Sequence, residues 1–223
     1  MIHRQVKRTV LVLLLVMTFT FYSYAEPAFN SEGNSQVLLL SSNKTKNMII
    51  DFTKPHEITH WRIVNDDVMG GNSRGFLSSS GNYGVFSGNI SLENNGGFSS
   101  TLRSIKPLEQ GLNYLVIDIE GDGLSYQLRA IVFLNGYRLA YKHDFDTKKG
   151  KREKLRLSLV NFKASFRGRI IKNAPLLVSE NIAEIGLLIT NKTEGAYSLN
   201  IHSIEAQKDD TNKAKDIVNT KNE

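Results

Sequence analysis

The chain has 223 residues, a formal charge of +6 at neutral pH, 40% hydrophobic residues and no cysteine. That length suits one domain with a core large enough to hold a fold unaided. The missing cysteine excludes a disulfide framework, a thiolate nucleophile, a thiolate metal site and a lipid-modified N-terminal cysteine.

Residues 1–25 read as a secretory signal peptide. Arg4, Lys7 and Arg8 form a basic start, residues 10–21 are almost wholly apolar, and Ser23-Tyr24-Ala25 leads to a cut before Glu26. The apolar run falls short of the roughly 20 residues of a membrane helix, and an uncleaved anchor is the alternative. The protein is therefore expected to be exported, periplasmic or extracellular, with no membrane span after cleavage. Loss of the leader leaves 25 of the 28 basic residues against 22 acidic ones, a charge of +3.

Residues 26–46 are rich in Asn, Ser and Lys and read as a flexible leader arm, and residues 208–223 as a disordered tail. Between them, residues 47–207 form one domain of short strand-like runs, at 48–52, 83–92, 98–103, 114–120, 126–134, 137–145, 155–159, 182–190 and 196–204. Alternation is clearest in Leu155-Arg156-Leu157-Ser158-Leu159 and in Leu199-Asn200-Ile201-His202-Ser203-Ile204. Asn135-Gly136 between two runs is a two-residue hairpin signal, because a type I′ turn needs positive φ at both positions. The basic cluster Lys148-Lys149-Gly150-Lys151-Arg152 has no aromatic neighbours and reads as a solvated hairpin tip; no nucleic-acid partner is expected. The pattern predicts an all-β fold, a two-sheet antiparallel β-sandwich of jelly-roll type.

One stretch organises the domain. Trp61-Arg62-Ile63-Val64 starts as a strand, breaks at Asn65-Asp66-Asp67, and continues through Val68-Met69 to Gly70-Gly71-Asn72-Ser73-Arg74-Gly75. A Val-Met pair between an acidic turn and two glycines suggests a loop folded back with that pair buried. Gly96-Gly97-Phe98 is expected to meet it, with Met69 and Phe98 filling the space between and Gly71 at positive φ.

This stretch, Phe86-Ser87-Gly88-Asn89-Ile90-Ser91-Leu92, Gly96-Gly97-Phe98-Ser99-Ser100, Gly121-Asp122-Gly123 with Tyr126, Phe166-Arg167-Gly168-Arg169 and Ile185-Gly186-Leu187-Leu188-Ile189 occur in that order. Together they resemble the complex I intermediate-associated protein family. The resemblance implies a galactose-binding-like β-sandwich and a role in assembling respiratory complex I.

The candidate chemistry is sparse. His56-Glu57-Ile58-Thr59-His60 matches the His-Glu-x-x-His pattern of zinc hydrolases, but that chemistry needs a helix, and Trp61-Arg62-Ile63-Val64 ends one almost at once. Asp66 and Asp67 either turn the backbone through side-chain hydrogen bonds or cradle a calcium ion; the turn is favoured. Asp118, Glu120 and Asp122 fall on one face of a strand and read as its wet side. Arg74 and Arg103 are expected at the rim of the loop, to pair with Asp66 or Asp122 or to take a partner's carboxylate. Trp61 is either core or a sugar platform. Trp61, Asp66, Asp67, Arg74, Arg103, Asp122 and Tyr126 are thus the candidate binding residues, with no catalytic set, no metal ligand and no cofactor. The expected function is non-catalytic, assisting or scaffolding a protein complex; carbohydrate or envelope-glycan binding is the alternative.

Overall fold

The computed structural model describes residues 47–166 and 168–209, so the predicted signal peptide, the arm and the tail from 210 onward lie outside it. The chain forms β1 (Asn47–Asp51), β2 (Trp61–Asn65), β3 (Arg74–Ser80), β4 (Tyr83–Ile90), β5 (Phe98–Ser104) and β6 (Tyr114–Glu120). It continues as β7 (Ser125–Leu134), β8 (Tyr137–Asp146), β9 (Arg152–Ser158), β10 (Lys163–Phe166), β11 (Arg169–Ile170), β12 (Ile182–Thr190) and β13 (Gly195–Gln207). Among the described residues helical structure is confined to short 3-10 turns, and no helix is long and apolar enough to cross a membrane.

The strands pair antiparallel in two sheets. One runs β3-β4-β13-β6-β9, with β1 also on β13; the other runs β11-β10-β8-β7-β12-β5-β2. Period two decides which side chains enter the space between them. Leu115, Ile117 and Ile119 of β6 and Leu199 and Ile201 of β13 come from the first sheet, and Leu128 of β7 and Ile185, Leu187 and Ile189 of β12 from the second, all exposed by 2% or less. Each such side chain contributes about 1.5–3 kcal/mol by leaving water. The all-β jelly-roll sandwich expected from the sequence is the fold observed. Asn135 and Gly136 take φ of 51° and 80° between β7 and β8, the primed hairpin their residue types demand.

Three expectations need correction. The sequence pattern places no strand at 74–80, because Ser78-Ser79-Ser80 has no apolar alternation; the register of β3 against β4, from Arg74 opposite Asn89 to Ser80 opposite Tyr83, makes it a strand. The basic cluster at 148–152 is a crossover and not a hairpin tip, since β8 and β9 lie in different sheets; the Gly150 N–H ties it to the Gly121 carbonyl at 2.8 Å. Asp118 is no wet carboxylate, because it lies only 3% exposed beneath Arg152 at 2.7 Å and Lys154 at 3.5 Å. Burial alone would raise its carboxyl; the Arg152 hydrogen bond and charge hold it below the usual range.

Candidate functional site

The break after β2 is a lock built on one carboxylate. Asp66 is fully buried, and its Oδ1 accepts the Ser73 N–H at 2.9 Å. Its Oδ2 accepts the Ser73 hydroxyl at 2.5 Å, the Gly97 N–H at 2.6 Å and the Phe98 N–H at 3.2 Å. The 66–73 loop and the start of β5 are therefore held by the same two oxygen atoms. Ser73 Oγ in turn accepts the Ser91 N–H at 3.0 Å, which adds the end of β4 to the same network. Asn65 supports it from one residue away, its Oδ1 accepting the Gly75 N–H at 3.1 Å and the Ser99 hydroxyl at 2.7 Å. The Asn94 side-chain amide donates to the Gly70 carbonyl at 3.0 Å, and the Asn72 amide to Glu93.

This lock needs bare backbone. A Cβ on Gly71 would stand 2.4 Å from the Asp66 carboxyl carbon, and one on Gly96 would stand 2.6 Å from its Oδ2. The requirement at Gly71 is room, not the positive φ expected from the sequence; in this pair Gly70 carries the positive φ, 91°. The expected meeting of the two glycine segments is present, but its filling is different. Val68 and Met69 are each 68% exposed instead of being buried against Phe98, because the Asp66 carboxylate occupies the space assigned to them.

The result is an apolar tip on a rigid base. Beside it an open groove of about 610 Å³ runs between the edge strands β2 and β3, lined by Ile63, Val64, Asp67, Val68, Phe76 and Leu77 among others. Phe76 points outward at 62% exposure. Val68 and Phe76 thus leave large apolar side chains in water at this groove, with Met69 exposed next to Val68.

The electrostatics of the lock make a measurable statement. Burial alone would raise the Asp66 carboxyl, but the bonds from Ser73, Gly97 and Phe98 outweigh it and hold the group below its ordinary 3.8. A carboxyl depressed by folding contributes stability that is complete above the unfolded value and is lost as pH falls through the lower folded value. The melting-temperature gap between wild type and Asp66→Asn should thus be constant near neutrality and shrink only below pH 3.8. A gap that is already closing between pH 7 and 5 would assign the effect to another group.

The remaining predicted residues fall into separate networks. Asp67 is exposed on the locked loop, and Arg74 is exposed at the start of β3, donating to the Ser73 carbonyl at 3.1 Å. Arg103 is not at this rim: it pairs with Glu57 at 2.8 Å and donates to the Ile49 carbonyl at 3.0 Å. Trp61 joins it there, with its indole N–H on Glu57 Oε1 at 3.1 Å and its ring stacked on Phe52 at 5.8 Å, so it serves packing. Asp122 and Tyr126 form a sandwich corner. Asp122 Oδ2 accepts the Tyr126 hydroxyl at 3.0 Å and the Ser198 N–H at 2.7 Å, and Tyr126 is 1% exposed, so neither arginine pairs with Asp122.

The His-Glu-x-x-His segment is a single 3-10 turn, Glu57–His60, with His56 ahead of it at φ 65°. At three residues per turn the two histidines do not stack on one face as they do in an α-helix. The glutamate is turned inward onto Arg103 and Trp61, and burial raises its carboxyl above the usual range despite Arg103. Among the described residues no group of three His, Asp or Glu is arranged to hold a metal ion. The exposed tip and its groove do not follow from the sequence pattern. The signal was there in Val68-Met69 beside two glycines, but exposure was not readable from it.

Comparison with solved structures finds a similar sandwich in carbohydrate-binding modules. A family 11 module from Clostridium thermocellum, solved with a β-1,3-1,4-mixed-linked tetrasaccharide, is 12% identical with a TM-score of 0.54, covering 73% of this chain and 96% of that one. The family 11 module of a cellulosomal cellulase of the same organism is 15% identical with a TM-score of 0.55, covering 74% and 95%. At such identities the likeness is one of fold. Comparison with curated protein sequences finds no match. The pattern of the Complex I intermediate-associated protein 30 family matches residues 50–201, from the end of β1 into β13, with the Asp66 loop, both glycine segments and the Asp122 corner inside it. The chain belongs to the Complex I intermediate-associated protein 30 family.

Proposed function

We propose that this protein is a non-catalytic docking protein that assists the assembly of a protein complex, with its partner seated on Val68 and Met69 and in the groove beside them. The observation that carries the reading is the pairing of an exposed apolar tip with a fully hydrogen-bonded base. A tip fixed before binding loses little conformational freedom when a partner covers it, which favours affinity. Family membership supports the assembly role. The family's name points to respiratory complex I as the client, whereas the predicted leader points to an exported, periplasmic or extracellular client. We propose the latter.

Glycan binding is the second reading, favoured by the fold shared with the family 11 modules. It is the weaker one, because Trp61 and Tyr126 are both committed to packing. The two readings separate on one pair of substitutions. Val68→Asp combined with Met69→Asp should melt within about 0.5 kcal/mol of wild type, as exposed positions do. It should also fail to recover the partner that wild type recovers from its native compartment. A glycan array bound equally by both proteins, with no protein partner lost, would overturn the docking reading in favour of the carbohydrate one.

A further inference from the structure

The outer face of the second sheet carries a row of cations that the fold itself does not require. Cross-strand register places Arg62 of β2 opposite Leu102 of β5, Leu102 opposite Gly186 of β12, and Gly186 opposite Arg129 of β7. Arg129 then lies opposite Lys142 of β8, and Lys142 opposite Lys163 of β10. Directly opposed residues share a face, and Leu128, Ala130, Ile185 and Leu187, one position along their strands, fill the core; this row therefore points away from the core. Arg129, Lys142 and Lys163 are consecutive in it, about 4.8 Å apart from strand to strand.

Like charges directly opposite one another destabilise a sheet. Here three stand side by side, and among the described acids only Asp144 pairs with one of them, Lys142. Glu184 is shared between Arg62 and Arg138, at 2.8 Å from each. Asp144 accepts from Gln127 at 2.7 Å and reaches Lys142 only at 3.8 Å, and Asp146 is bonded to Ser125 at 2.5 Å. Arg129 is half-buried beside the small apolar cluster of Leu102, Ile131 and Ala140, and no described carboxylate pairs with it. Burial, and then the charge of Arg138, push its guanidinium below the usual range, as befits a cation without a counterion. Gly186, between Leu102 and Arg129 in the row, carries no side chain, and Leu102 leans over it, its Cδ2 2.6 Å from where a Cβ would stand.

We propose that this row is the seat of an acidic segment of the partner protein, with one carboxylate held in bidentate fashion by Arg129 and the next held by Lys142 and Lys163 as point charges. The inference rests on the partner-docking reading above. The two surfaces are continuous: Arg62, at one end of the row, is two residues from Val64, which lines the groove beside the locked loop. A partner seated on the apolar tip can thus continue across the sheet, its acids meeting the cations.

The test uses the whole protein and three probes at low salt, where charge contacts are least screened. They are a synthetic peptide alternating Glu and Ser, the same peptide with Gln for Glu, and an oligo-uronate. The Glu peptide should bind and the Gln peptide should not, with affinity falling as salt rises. Arg129→Gln with Lys142→Gln should weaken the Glu peptide by about tenfold or more, the scale of a lost charged pair, while melting no lower than wild type because a like-charge contact is relieved. Val68→Ser with Met69→Ser strips apolar surface from the tip without adding charge or touching a cation of the row, so it should leave peptide binding unchanged while the protein partner is lost, and failure of the loop reading and failure of this one are distinguishable. Equal binding of the Glu and Gln peptides, or an Arg129→Gln, Lys142→Gln protein that binds as wild type does, would overturn the proposal. So would an oligo-uronate that binds more tightly than the peptide and depends on the same two residues.

Discussion

An Asp66→Ala protein should melt about 10 °C below wild type, the shift expected for a loss of about 3–5 kcal/mol in a domain of this size. The substitution removes the acceptor of three backbone N–H groups and one hydroxyl, from Ser73, Gly97 and Phe98. Each buried donor left without a partner costs about 1–3 kcal/mol. Asp66→Asn should recover only part of the loss. Its carbonyl oxygen still accepts, but its amide would point a donor at the donors on the other side. Thermal or urea unfolding of the three proteins reads the effect directly. An Asp66→Ala variant within about 1 kcal/mol of wild type would show that the carboxylate does not hold the two segments together.

Gly71→Val should be nearly as damaging, and for a steric reason. The new Cβ would sit 2.4 Å from both the carboxyl carbon and Oδ1 of Asp66, so either the carboxylate leaves its donors or the loop backbone moves. Both outcomes break the network, and a loss of about 2–4 kcal/mol is expected. Gly70 next to it provides the contrast: its φ is 91°, but nothing lies within 4 Å of an added Cβ. Gly70→Ala should therefore incur only the smaller penalty of a left-handed backbone, about 1 kcal/mol. Circular-dichroism melts of the two variants should rank Gly71→Val well below Gly70→Ala. The reverse order would mean that backbone conformation governs this loop and space does not.

These two residues also show how far the sequence could be read. That the 66–75 stretch and Gly96-Gly97-Phe98 meet was legible, because paired glycines beside acidic turn residues imply close backbone approach. Which atom fills the meeting point was not, since a buried aspartate looks the same in sequence as an exposed one. Assigning that space to Met69 reversed the exposure of the whole tip. The strands with alternating or β-branched runs, such as β6 and β12, were found with the boundaries observed. β3 and the short β10 and β11 were missed, because Ser-rich or very short strands owe their state to the neighbour they pair with. For the same reason Arg103 was placed at the wrong rim: its Glu57 partner is 46 residues away in sequence, a distance no local pattern spans. The cationic row belongs to this class as well. Arg129, Lys142 and Lys163 are unremarkable singly and become a row only through the order β10-β8-β7.

The docking claim is tested most directly by photo-crosslinking in the native compartment, from a photoreactive residue placed at Met69 and, separately, at Tyr137. Both side chains are highly exposed, at 68% and 70%, and the β7-β8 turn that carries Tyr137 lies at the opposite end of its sheet from the locked loop. The position 69 probe should yield one discrete protein adduct, absent from position 137 and lost when Asp66→Ala is added to release the tip. No adduct from position 69, or the same adducts from both positions, would contradict the assignment of this loop as the site where a partner docks.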